Sequence, residues 1–263
     1  MLHRERGEAP QKGNPHKLTR DQHVIPVATL VRFAGSDGLV EVHLHDGRVE
    51  RISPDNQLFS VDRLWDQRAE AGYMKSVEDD FQGLIDALEA GRVNPLSPAE
   101  HRIITRFWSL WRWRNHFIDT PASAQSLNGI QPEPLTKDQR EILESKWTLF
   151  VAEDNALPSR MVTGMRIQML IDRDAVHLAE KHWGVLWASS PTLVIPDRPD
   201  ALLSVPASPR LLLAADNPDG ELTAAEIVRA NAIAIRLSRN YVVVPPHRRN
   251  TILKSSSEAS VRR

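Results

Sequence analysis

The chain has 263 residues, 41% of them hydrophobic and 25% charged, and its 33 basic and 34 acidic residues leave a formal charge of −1. That length is enough to bury a substantial core in one large or two small domains. The even charge balance argues against a dedicated non-specific nucleic-acid binder and leaves room only for a local basic patch. With no cysteine in the chain, disulfides, thiol nucleophiles and cysteine-ligated metal sites are excluded.

Residues 1–20, MLHRERGEAPQKGNPHKLTR, are rich in charge, Gly and Pro and read as a disordered tail, with none of the apolar run of a secretory signal. The basic stretch 248–263 reads the same way. No window approaches the roughly 18 to 20 apolar residues of a membrane span. The expectation is a cytoplasmic protein with no membrane association and a single domain over residues 21–247.

Within that span, GLVEVHLHDGRVERIS predicts a β-hairpin: Val40, Val42 and Leu44 alternate with polar residues, and Asp46-Gly47 supplies the turn. SVEDDFQGLIDALEAG predicts a short amphipathic helix with Val77, Phe81, Leu84, Ile85 and Leu88 on one face, capped by Ser76 and ended by Gly91. Ser97-Pro98 opens a long helix that contains RFWSLWRWRN (106–115). A further helix starts at Thr136, and another covers 159–171. From about His182 the chain breaks into short apolar runs separated by Pro, Ser and Asp, the punctuation of strands. Thr223 and Glu226 form a capping-box pattern for a last helix, and YVVVPP closes as a strand. Early strands, central helices and late strands predict an α+β fold: an N-terminal hairpin, a central helical layer and a C-terminal antiparallel sheet with a closing helix and strand.

QHVIPVATLVRFAG (22–35), with Gln22, His23, Pro26, Leu30 and Phe33, resembles the opening signature of a bacterial family known as domain of unknown function four-two-three-eight. The resemblance extends over roughly residues 20 to 245. Glu78 falls where that family carries an acidic residue, Arg114 where it has an arginine, and Asn231 where it has an asparagine. The family's Ser-Asp-Asn-Pro turn corresponds to Pro196-Asp197-Arg198-Pro199, so only Asp197 and Pro199 match. If that turn serves chemistry in the family, the departure implies an altered or lost activity. The resemblance places residues without naming a reaction.

The long helix carries the most informative polar residue. At about 100° per residue, Leu110, Ile103, Phe107, Ile118, Trp111, Ile104 and Trp108 fill about 160° of arc, and Arg114 falls near its middle. Arg102, Arg106 and Trp113 lie outside it, where they are candidates for surface contact. A buried guanidinium requires a counter-charge. Arg114 is therefore either half of a structural ion pair or an anion clamp, unless it snorkels out from the helix end. Glu78, about 60° from Phe81 on its own helix, is the preferred partner and Asp197 the second. Asn231, set among Ile227, Ala234 and Ile235, belongs either to backbone scaffolding or to a polar network. His23 is the best general acid or base, and Asp197, between prolines, is either an oriented carboxylate or a turn cap.

Two functional readings follow. In the first, His23, Glu78, Arg114, Asp197 and Asn231 converge in one pocket of a hydrolase acting on an anionic small molecule or nucleic acid, with His23 as acid or base and Arg114 as clamp. In the second, the polar cluster is structural and the protein is a binding or regulatory module that uses exposed Arg102, Arg106, Arg112 and Trp113. His43 and His45 share a strand face but lack a third ligand, so no metal ion is expected there. No Walker loop, G-x-G-x-x-G, G-x-S-x-G or H-E-x-x-H is present, so no motif names a cofactor. Pro196-Asp197 lacks the downstream Asp/Glu-x-Lys of a restriction-type nuclease.

Overall fold

A computed structural model describes residues 8–130, 133–199 and 203–245. In chain order the elements are β1 (Asp21–His23), α1 (Val27–Arg32), β2 (Val40–Leu44), β3 (Val49–Ile52), β4 (Ser60–Asp62), α2 (Lys75–Glu89) and α3 (Pro98–Asp119). There follow β5 (Gln125–Ser126), α4 (Lys137–Ser145), β6 (Ala156–Leu157), α5 (Ser159–His177), β7 (Trp183–Ala188) and β8 (Ile195–Pro196). The chain ends in β9 (Ser204–Ser208), β10 (Leu211–Ala215), β11 (Gly220–Leu222), α6 (Ala224–Leu237) and β12 (Tyr241–Val244). The fold is α+β. None of the described helices is long and apolar enough to cross a membrane.

Where the sequence suggests one domain, the chain divides into two compact units. The first comprises Met1–Val24, Ser60–Leu84 and Thr105–Ala179; the second comprises Ile25–Phe59, Ile85–Ile104 and Glu180–Arg263. Each draws on early, middle and late segments, so no linker in the sequence marks a boundary.

In the first unit β1 pairs antiparallel with β4, Gln22 lying opposite Val61. Residues 69–74 form a π-helical stretch that runs directly into α2. Ser76 therefore lies inside the helix rather than at its cap, and its hydroxyl donates back to the Tyr73 carbonyl at 2.8 Å. Phe81 and Phe107 stack with ring centres 3.6 Å apart, and Trp108, Leu110 and Trp111 are buried as their helical phase requires. The Thr136–Gln139 capping box starts α4. Residues 8–18, which read as disordered, lie along α4 instead. The Gln11 backbone N–H donates to Glu141 at 2.7 Å, Lys137 donates to the Ala9 carbonyl at 2.7 Å, and His16 meets Asp138 at 2.7 Å. The polar composition that suggested disorder supplies these contacts. The remainder of the expected tails, residues 1–7 and 248–263, lies outside the described residues.

In the second unit the predicted hairpin is present, its turn at Gly47 with φ of +88°, and α2 ends at Gly91 with φ of +65°. There the Arg92 N–H reaches the Ala87 carbonyl and the Gly91 N–H that of Leu88, a Schellman closure. Two four-stranded sheets follow. One runs β3-β2-β12-β8 and the other β11-β7-β10-β9. The expected C-terminal antiparallel sheet is corrected in two ways. β11 pairs parallel with β7, and the closing YVVV strand joins the N-terminal hairpin through β2. The apolar sequence of β12 suits a strand buried on both faces and does not choose its neighbour. Helix α6, opened by the Thr223–Glu226 capping box, packs Ile227 and Ala230 near Leu212 and Ala214 of one sheet, and Ala234 and Ile235 against Val242 and Val244 of the other.

Gly164 of α5 marks the closest approach in the first unit. A Cβ there would collide with the Asp66 carboxylate and come within 2.8 Å of the Ala69 Cβ. Gly164→Ala is therefore expected to cost about 1–3 kcal/mol as overpacking, read as a lowered urea midpoint; an unchanged midpoint would contradict this packing.

Candidate functional site

Arg114 is 1% exposed and meets Glu78 as its helical phase predicts. Its Nη1 donates to Glu78 Oε1, and its Nη2 lies 3.3 Å from Glu70 Oε2. The same Nη2 approaches the Met74 sulfur at 3.7 Å, and the guanidinium carbon lies 5.2 Å from the centre of the Trp65 ring. Glu70, Met74 and Glu78 come from the π-helical stretch and the first turn of α2. Widening the helix by one residue places two carboxylates on the same side of the chain, and such π segments recur at functional sites. The network continues outward. The Trp65 indole N–H donates to Glu70, while the Gln22 side chain accepts from the Trp65 N–H at 3.1 Å and donates to its carbonyl at 2.8 Å. Gln22 thereby fixes Trp65, which backs both Glu70 and Arg114. Two carboxylates share one guanidinium here. Burial, and secondarily the Glu70 charge, push the Glu78 pKa above its ordinary value, although Arg114 opposes the shift.

The other predicted residues occupy different settings. His23 is half-buried at the end of β1, opposite Ser60. Asp197 and Asn231 belong to the second unit, where each holds backbone. Asp197 accepts from the Arg239 N–H at 2.8 Å and the Asn240 N–H at 2.7 Å, fixing the approach to β12. Burial raises its pKa against those donors. Asn231 accepts from the Val194 N–H at 3.1 Å and donates to the Thr192 carbonyl at 2.8 Å, tying the β7–β8 connection to α6. Arg198, the departure in the turn, donates to the Leu237 carbonyl at the end of α6 at 2.7 Å. His43 pairs with Glu41 at 2.8 Å, and His45 with the Ser238 hydroxyl at 2.8 Å. Among the described residues no group of three or more His, Asp or Glu is arranged to hold a metal ion.

No protein-family model, curated protein or solved structure matches the chain. Function must be argued from the sites themselves.

Sequence reasoning missed a second buried ion network in the first unit. Glu144, 2% exposed, accepts from Arg63 at 2.9 Å and from Arg160 at 2.9 Å, and Arg160 also reaches Glu8 at 2.9 Å. Burial alone would raise the Glu144 pKa, but Arg160 and Arg63 together hold it below the usual value. Asp66 nearby has burial as its main influence and is shifted up. The signal lay in α4, where Glu141 and Glu144 sit on the buried face, one turn apart.

The exposed candidates Arg106 and Trp113 are both partly engaged. Arg106 lies 5.2 Å over the Tyr73 ring and 3.9 Å from Asp80. Trp113 is half-buried, its N–H bound to Asp174 at 2.7 Å, with Arg112 and Arg173 over its ring at 4.7 and 5.3 Å. Beside it opens a groove of about 650 Å³. Trp113, His116 and Phe117 of α3 form one wall; Arg166, Met169 and Leu170 of α5 form the other. Arg166 is exposed, and no ion pair engages it among the described residues.

A carboxyl whose pKa is raised on folding binds its proton more tightly in the native state, so its contribution to stability is lost as pH rises through that window. The advantage of wild type over Glu78→Gln should be greatest below pH 4.5, the ordinary Glu78 value, and should shrink as pH rises above it. Paired urea titrations across pH check this; wild type gaining on the variant as pH rises would contradict it.

Proposed function

We propose that this protein is a non-catalytic binding module that takes an anionic partner in the groove between α3 and α5. The observation carrying this reading is the contrast between two arginines. Arg114 has both terminal nitrogens directed at carboxylates, so it braces the interior and offers no fork to a substrate anion. Arg166 stands exposed in a groove with aromatic and aliphatic walls and no carboxylate lining it. A guanidinium so placed recognises carboxylate or phosphate through paired, charge-assisted hydrogen bonds. Arg112 and Arg173 lie over the ring of Trp113, which lines the groove, and pair with the single charge of Asp174, so two cations meet one anion there.

The hydrolase reading has less support. It requires a substrate to displace Glu70 or Glu78 from Arg114, and breaking a buried pair typically costs about 3–5 kcal/mol. It also requires Asp197 and Asn231 to act on substrate, whereas their polar atoms hold backbone.

Anisotropy titrations with labelled polyglutamate and a labelled oligothymidylate test the reading. At least one should bind, and Arg166→Glu should weaken it about tenfold or more, equivalent to about 1.4 kcal/mol, with no change in the unfolding midpoint. Binding that ignores the substitution would overturn it, as would the failure of both probes and of an acidic amphipathic peptide to bind.

A further inference from the structure

Resting on the binding-module reading, we infer that the groove's occupant is an acidic amphipathic helix of a protein partner. The outward face of α5 carries Arg166, Met169, Leu170, Arg173, Val176 and His177, spaced as i, i+3, i+4, i+7, i+10 and i+11. That spacing puts them on one stripe of the helix. Met169 is 69% exposed and Val176 67% exposed, an unusual commitment of apolar surface to water on a stripe whose other members are mostly cationic or titratable. Trp113, His116 and Phe117 of α3, with Thr120 just past its end, repeat the i, i+3, i+4, i+7 spacing on the facing wall. A groove between two helices, lined by apolar Trp113, Phe117, Met169 and Leu170 and by cationic Arg166, matches a guest helix with apolar anchors on one face and carboxylates on its flanks. Exposed methionine suits such a surface because its unbranched chain adapts to the guest's contour.

Charge selects the guest's sign. The lining includes Arg166 and His116 and no carboxylate. The nearest acids on α5 are engaged: Asp172 accepts from the Tyr73 hydroxyl at 2.6 Å, and Asp174 accepts from Ser109 at 2.8 Å and from Trp113.

The aromatic residues argue against single-stranded nucleic acid, whose bases need free ring faces for stacking. Two guanidinium groups already cover Trp113. The His116 ring packs edge-on against both Trp113 and Phe117, with centres 5.3 and 5.1 Å apart. The walls can take aliphatic side chains between them but present no open platform to a base.

The test is an anisotropy titration of the full chain with three labelled probes: a helical peptide of about 18 residues with Leu at i, i+3, i+4 and i+7 positions and Glu elsewhere, its Lys-for-Glu counterpart, and the oligothymidylate. The acidic peptide should bind about tenfold or more tightly than the Lys counterpart and than polyglutamate, which lacks apolar anchors. Arg166→Glu and Met169→Glu should each weaken it by about tenfold or more; both side chains are exposed, so both variants should fold. If the oligothymidylate binds in an Arg166-dependent manner and the acidic peptide does not, the helix inference falls while the binding-module reading stands. If the peptide binds but ignores both substitutions, the groove is not its site. If no probe binds, both proposals fall.

Discussion

A guanidinium that is 1% exposed must find negative charge within the fold, and much of the first unit is arranged to supply it. Helix α3 commits Arg114 to the interior by phase alone, since its neighbours on that face are Phe107, Leu110 and Trp111. The π-helical stretch then brings Glu70 and Met74 to bear along with Glu78. Trp65 covers the cation, and Gln22 holds Trp65 by both backbone groups. Its six members come from four segments, so the cluster joins β1, the β4–α2 connection, α2 and α3 through directional bonds. Apolar packing alone would leave their register less specified.

The first unit repeats the device at Glu144, where Arg63 and Arg160 converge from separate segments. The second unit handles buried polarity differently. Asn231 and Asp197 pair with backbone N–H and carbonyl groups of connections that enter no sheet ladder, and Arg198 closes the end of α6. These side chains replace ladder hydrogen bonds for irregular segments, as buried backbone groups demand. Arg166, in contrast, is exposed in the open α3–α5 groove and makes no ion pair among the described residues.

Legibility in the sequence followed periodicity. Helix phase placed Trp108, Trp111 and Arg114 inward and selected Glu78 as the partner of Arg114. Turn and cap residues located the hairpin at Gly47 and the starts of α3, α4 and α6. Strand pairing was not legible, because β12 is apolar on both faces and carries no mark of its neighbour; its union with β2 depends on residues about 200 positions away. Glu70 was missed because the helix was expected to start at Ser76, whereas the π-helical stretch that carries Glu70 precedes it. Residues 8–18 were misjudged because composition reports the average polarity of a segment and not the partners waiting for it. The basic-aromatic run at 106–115 also changed meaning: Trp108 and Trp111 are core, Arg106 lies over Tyr73, and Arg112 stacks on Trp113, which forms part of a groove wall.

Arg114 is a structural brace whose worth lies in its coupling to Glu78. A double-mutant cycle of Arg114→Met and Glu78→Gln, read by urea unfolding at neutral pH, measures that coupling directly. An interaction energy of about 1–3 kcal/mol is expected, as for residues within one ion-pair network. Additive effects, within about 0.5 kcal/mol, would contradict it and return Arg114 to the pool of residues available for a ligand.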